Sequence, residues 1–167
     1  MKKILMNIAV FAMVIAVLII LLISFGTDQG AKYVYKGNTE HKIIEVKPKE
    51  YQCSECNMDV ENLDYMAEII TQEGNTYFFD DIGCAVLWLK NHTPDISRMV
   101  AKTHDTHKWI DAKKAWYSRT DATPMGYGFA AYEIKKDGMI PYEEMRVLML
   151  QGKTLHDPFV KKQLLSR

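Results

Sequence analysis

"DYMAEIITQEGNTYFFDDIGCAVLWLKNHTPD", residues 64–95, is the stretch on which the fold turns. Within it, "EGN" reads as a turn between two apolar stretches, Met66–Thr71 and Thr76–Phe79, which predicts a β-hairpin. Val60, Leu63, Met66, Ala67 and Ile70 also fit a helical period, so a helix competes for the first of those stretches. After the hairpin, Asp80 or Asp81 can cap a helix starting near Ile82. Ile82, Val86 and Leu89 share one face of that helix, Cys84, Leu87 and Trp88 widen it, and "NHTPD" ends it.

Working outward, the second half follows a similar plan. "RMVAKT" and "KWID" are strand candidates separated by the turn "HDTH", and "KKAWYSRT" is a further strand. "DATPMGYG" reads as a loop and "FAAYEI" as a strand rich in β-prone residues. "KKDG" turns the chain into a helix, "PYEEMRVLMLQG", with Pro141 in its first turn and Gly152 at its end. Asp157 caps a short last helix in "DPFVKKQLLSR". Strands and helices segregate, which predicts an α+β fold with antiparallel pairing.

The chain has 167 residues and no formal net charge, so no global field points to nucleic acid. Its N-terminus is of another kind. Lys2 and Lys3 precede an apolar run from Ile4 to Phe25, interrupted at Asn7. As a helix this run rises about 33 Å, against a hydrocarbon core of about 30 Å. A cleaved signal would have a shorter apolar region and a small-x-small site, so an uncleaved anchor is expected. No cysteine follows the run, so no lipid attachment at a processed N-terminus is expected. Lys2, Lys3 and the amino group favour a cytoplasmic N-terminus, which places the remaining chain outside. Residues 27–50 are polar and glycine-bearing and read as a linker.

The linker leads to "YQCSECNMDV", residues 51–60, which holds two of the three cysteines and one of the ten methionines. Three readings compete for it. A structural zinc site needs four ligands, so Cys53 and Cys56 would need Cys84 and a histidine. A thiol–disulfide oxidoreductase would use Cys53 and Cys56 directly, but such pairs open a helix that follows a strand, and here a polar linker precedes them. A soft-metal site fits the donor types: thiolate and thioether select Cu(I) over hard ions. In an extended segment, Cys56 and Met58 point to the same face and can meet one ion. Two donors leave room for a third, and an unsaturated shell permits exchange with a partner. Met125, in the loop "ATPMGYG", is a candidate third donor; the alternative is that it plugs the loop onto the sheet.

"CSECNMDV", "GNTYFFDDIGCAVLWL", "WIDAKKAWYSRT" and "TPMGYGFAAY", in that order, resemble the NosL family over roughly residues 51–150. These are accessory proteins of nitrous oxide reductase maturation that carry Cu(I) outside the cytoplasmic membrane. The resemblance implies two small ββαβ-type units, expected here over 51–96 and, with the C-terminal helices, over 97–167; they follow the anchor helix (1–26) and the linker (27–50) read from the residues themselves. It implies Cu(I) on Cys56 and Met58 with Met125 as a further ligand, and Cys53 matches the family's first cysteine. The implied partner is a copper-receiving metalloenzyme or its membrane assembly complex. Two departures stand out. Asn57 occupies a position where the family has glycine, and Asn also tolerates left-handed backbone angles. A membrane helix replaces the family's lipid anchor.

The other polar residues have simpler readings. Cys84 lies on the apolar helix face and reads as core. His104 and His107 flank a turn and read as solvated, while His92 and His156 sit at helix ends. Capping explains Asp80 and Asp81, and no nucleophile–base constellation occurs elsewhere. The expectation is therefore a carrier, neither an enzyme nor a binder of small-molecule substrates.

Overall fold

A computed structural model describes residues 10–21 and 32–166. Residues 10–21 form helix α1, whose side chains are exposed. Among the described residues, no helix is long and apolar enough to cross a membrane. The span expected over Ile4–Phe25 lies partly outside the described residues.

Residues 32–166 build the α+β domain. Its larger sheet has five antiparallel strands in the order β1-β3-β2-β4-β5. These are β1 (Val34–Lys36), β2 (Ala67–Thr71), β3 (Asn75–Phe79), β4 (Ile96–Lys102) and β5 (Trp109–Asp111). The hairpin wins over the competing helix: Ala67 pairs with Phe79 and Ile69 with Tyr77. Its β-branched and aromatic residues are buried on both sheet faces, which a single helical stripe cannot achieve. The helical spacing that runs back to Val60 produces only a 3-10 turn, Leu63–Tyr65, capped by Asn62. Gly74, at φ +80°, closes the hairpin against the Asn38 backbone, where a Cβ would stand 3.0 Å from a carbonyl carbon.

The segment expected as a linker is part of this domain from residue 32 onward. β1 pairs with β3, in the register Val34 to Tyr77. The buried Asn38 amide donates to Thr76 Oγ1 (2.9 Å) and to the Lys42 carbonyl (2.7 Å). The chain then crosses the sheet, and the Ile44 N–H reaches Glu68. A polar composition concealed this because the contacts are made by backbone and amide groups.

Helix α2 (Ile82–Asn91) follows β3 after two residues, and Asp81 Oδ1 caps it through the Gly83 N–H at 2.8 Å. β4 then returns to pair with β2, so the first ββαβ run ends near Lys102, beyond the boundary placed at 96. The second sheet is small: β6 (Trp116–Tyr117) lies between β7 (Ala131–Tyr132) and β8 (Ile140–Pro141). The strands expected over "KKAWYSRT" and "FAAYEI" contract to these pairs. Helix α3 (Tyr142–Leu150) packs on α2, and α4 (Pro158–Leu165) is capped by Asp157. One core runs through both sheets, with Phe78, Phe79, Tyr117, Phe129 and Met145 fully or almost fully buried.

The two halves share one local device. At Cys53–Met58 the chain reverses through Cys53 N–H to Met58 O (2.8 Å) and Asn57 N–H to Cys53 O (3.0 Å). At Thr103–Lys108 the same two bonds recur, Thr103 N–H to Lys108 O (2.8 Å) and His107 N–H to Thr103 O (2.9 Å). Asn57 and His107 occupy the left-handed position of each turn, at φ +61° and +54°. Each turn is tied to a strand end, through Ser54 N–H to Phe78 O and His104 N–H to Ala131 O, both 2.8 Å.

Candidate metal centre

The first turn carries Cys53 inward and Cys56 to the edge of the core; Cys53 is buried and Cys56 half-buried. The junction between β3 and α2 faces them. Its two aspartates divide the work: Asp81 caps the helix and Asp80 turns to the sulfurs. Cys84 sits in the first turn of α2, fully buried. One donor atom from each of Cys53, Cys56, Asp80 and Cys84 lies within 4.8 Å of all the others. Among the described residues, this is the one group of three or more His, Cys, Asp or Glu side chains gathered closely enough to hold an ion.

The electrostatics follow from burial. Cys56 Sγ lies 3.6 Å from Asp80 Oδ2, and burial pushes the Cys56 thiol up to about 12. Cys53 and Cys84 share a hydrogen bond, which draws the Cys53 thiol below its ordinary range and pushes Cys84 far above it. Of the two thiols, Cys53 is thus the one that gives up its proton first. Asp80 Oδ1 is buried without a hydrogen-bond partner. A carboxylate oxygen in that state is costly unless a proton or a cation completes it. Three thiols and one Asp80 carboxylate oxygen make a donor set that is predominantly soft, with the count of four that tetrahedral ions take.

Of the residues singled out from sequence, Cys53 and Cys56 are brought together in this cluster. Met58 follows on the same turn, but its side chain is 51% exposed. It lines a cleft of about 460 Å³ together with Asp59, Glu61, Asp80, Thr123 and Pro124. Met125 is half-buried against the core, next to Pro124, and its backbone N–H faces the Asp81 carboxylate. The loop bearing it is folded over the start of α2: the Tyr127 ring lies where a Cβ on Gly83 would stand 2.4 Å away. His104 stacks on Tyr65, and His107 pairs with Asp64 Oδ1 at 3.2 Å; neither joins the cluster.

Sequence reasoning missed Asp80 as a donor, and it weighed Cys84 as one only for a zinc site. A signal was present: a helix needs one capping aspartate, and "DD" supplies two. Cys84 is indeed core, as expected, yet its sulfur faces the other thiols.

No protein-family model matches the chain, and no curated protein matches it in sequence. Among solved structures, the chain is similar to the copper chaperone NosL from Shewanella denitrificans, at 15% identity and a TM-score of 0.50. That likeness covers 62% of this chain and 85% of the other, and it establishes a NosL-like fold around a cluster of three thiols and one carboxylate.

Proposed function

We propose that the chain is a Cu(I) carrier that receives copper outside the cytoplasm and passes it to a metalloenzyme or to that enzyme's assembly machinery. One observation carries the proposal: three sulfurs and one carboxylate oxygen converge within 4.8 Å at the junction of a turn, a strand and a helix. Cys53, Cys56 and Cys84 supply soft donors of the kind Cu(I) selects, and Asp80 supplies charge. The apolar N-terminal run holds the carrier at the membrane, and nitrous oxide reductase or its assembly complex is the recipient that the family likeness suggests. The function is transfer without bond chemistry. A catalytic dithiol needs an accessible thiol of low pKa, whereas here the accessible Cys56 is raised and Cys53 is buried.

A second reading has its own support. Asp80 brings the donor count to four, the number that structural zinc sites use. Anaerobic loading of the reduced full chain, followed by metal analysis and X-ray absorption, separates the two. The copper reading expects one Cu(I) per chain in a low-coordinate, sulfur-dominated shell. It also expects Cys84→Ala to weaken Cu(I) at least about tenfold, the scale of losing one donor from a metal site. Zinc that is retained through purification in a four-coordinate shell would replace the copper reading.

A further inference from the structure

Helix α4 (Pro158–Leu165) buries none of its residues fully. At about 100° per residue, Val160 and Leu164 share one side of it, and both are half-buried. Phe159, Lys162 and Leu165, spaced i, i+3, i+6, form a stripe away from that side. Phe159 is 85% exposed and Leu165 51%. Among the described residues, no large hydrophobic side chain is more exposed than Phe159. The helix is thus as apolar outward as inward, and the fold covers only its inward side.

The surroundings are cationic. α4 carries Lys161 and Lys162, both exposed, and no acid beyond its Asp157 cap. Its Leu164 meets the loop 136–139 at a cavity of about 390 Å³ that Arg119 and Lys136 also line. Ile134, exposed, and Lys135 lead into that loop. Asp121 and Asp137 are the acids of the cavity, and Asp121 is occupied by the Tyr132 hydroxyl at 2.8 Å. Among the described residues, none of Arg119, Lys135, Lys136, Lys161 and Lys162 forms an ion pair. Lys135 and Lys136 instead lie over the Trp116 and Tyr132 rings, 4.3 and 4.7 Å from the centroids.

A lipid surface fits this face better than a protein one. A side chain as exposed as Phe159 protrudes, so it needs either a matching pocket or a medium that yields around it. Lysines beside exposed apolar side chains lay their stems along such a medium and keep their ammonium groups among anionic headgroups. The same chain carries an apolar run of hydrocarbon-core length over Ile4–Phe25. We propose that α4 and the adjoining segment 134–139 form a docking face for an anionic membrane surface. Ile134, Phe159 and Leu165 sit at the acyl boundary, and Lys135, Lys136, Lys161 and Lys162 sit among the headgroups. The domain is then held flat against the bilayer, whatever metal it carries.

The test uses the full chain, reconstituted into nanodiscs of phosphatidylcholine alone or of phosphatidylcholine mixed with phosphatidylglycerol. Hydroxyl-radical footprinting read by mass spectrometry gives the accessibility of Phe159 and Leu165 relative to the rest of the chain. Both are expected to be protected at least about threefold in the anionic discs compared with the neutral ones, and to lose that protection at high salt. The double variant Lys161→Glu, Lys162→Glu, which changes only exposed side chains, is expected to lose it at low salt too. A chain that does not associate with anionic discs, or whose Phe159 is labelled equally in both lipids, overturns the inference. Protection that needs no lipid and grows with protein concentration would assign the face to a second copy and overturn it as well. Cu(I) loading enters none of these readouts, so the copper reading and this inference stand or fall separately.

Discussion

Glu68, the second residue of the central strand β2, has no surface exposed to solvent. Its Oε2 accepts the Ile44 N–H at a long 3.3 Å, and Oε1 has no hydrogen-bond partner. Burial pushes its carboxyl from 4.5 up to about 8. Between those values the folded chain keeps a proton that the unfolded chain has lost, so unfolding releases a proton and stability falls as pH rises. Below the lower value both states are protonated, and above about 8 the loss is complete. The gap corresponds to roughly 5 kcal/mol at about 1.4 kcal/mol per pH unit. Asp81, raised to about 6, adds a similar slope at lower pH, so the clean window for Glu68 runs upward from about 6.5. From there to pH 8 the expected loss is about 2 kcal/mol, or roughly 6–10 °C in Tm for a domain of this size. Glu68→Gln retains a carbonyl to accept the Ile44 N–H but cannot ionise. Thermal and urea unfolding of both proteins, reduced, at pH 6.5 and pH 8 give the comparison. The variant should gain about 2 kcal/mol on the parent between the two conditions, while histidine and cysteine titrations common to both proteins cancel. An equal difference at both pH values would mean that Glu68 is solvated or ion-paired, and the burial argument would be wrong.

Other outcomes follow from the same geometry. Gly83→Ala places a methyl group 2.4 Å from Tyr127 Cδ2 and 3.1 Å from Met149 Sδ, so it should destabilise the domain. The expected cost is about 1–3 kcal/mol by thermal unfolding, and Tyr127→Ala in the same chain should remove much of it. Because burial holds Cys56 near 12 and the hydrogen bond to Cys53 pushes Cys84 far above its ordinary range, bound copper must displace protons that the free protein keeps at neutral pH. Apparent Cu(I) affinity should therefore rise about tenfold per pH unit for each thiol proton displaced, measured by chelator competition across pH 6–8. A flat profile would show that the thiols are not the donors.

What could be read from the sequence depended on how local the determinant was. The β2–β3 hairpin and the Asp81-capped helix were legible because alternation, a glycine turn and a capping residue lie side by side in 64–95. Cys53 and Cys56 were legible as a pair because one turn holds them both. Asp80 was not, and Cys84 entered only as a zinc alternative, since their role depends on how the β3–α2 junction meets a turn more than twenty residues earlier. The packing of residues 32–50 was hidden for the same reason: the Asn38 amide and the edge strand β1 find their partners in the hairpin, beyond any local window. Met58 was read as a soft donor beside Cys56, but its exposure could not be read from "CNMD".

The repeated turn shows which part of the centre makes it a centre. Thr103 and Thr106 occupy the places of Cys53 and Cys56, with their hydroxyls 2.8 Å apart. Thr106 also donates to Glu133 Oε2 at 2.7 Å, as Cys56 donates to Asp80. The backbone frame and the neighbouring acid are thus present twice, so the turn alone does not define a copper site. The third sulfur is the difference. β3 ends at Phe79 and α2 begins at Ile82, which brings Cys84 straight onto the first turn. β7 ends at Tyr132 and α3 begins only at Tyr142, so the second turn has no helix start beside its acid. Lys108 instead pairs with Glu133 at 3.0 Å and neutralises it. The double variant Thr103→Cys, Thr106→Cys should consequently take up a second Cu(I), at least about tenfold more weakly than the first, because two sulfurs replace three. Stepwise competition titration resolves the two events. Equal affinities would show that Cys84 contributes nothing to the natural site, and the three-sulfur account of the centre would fail.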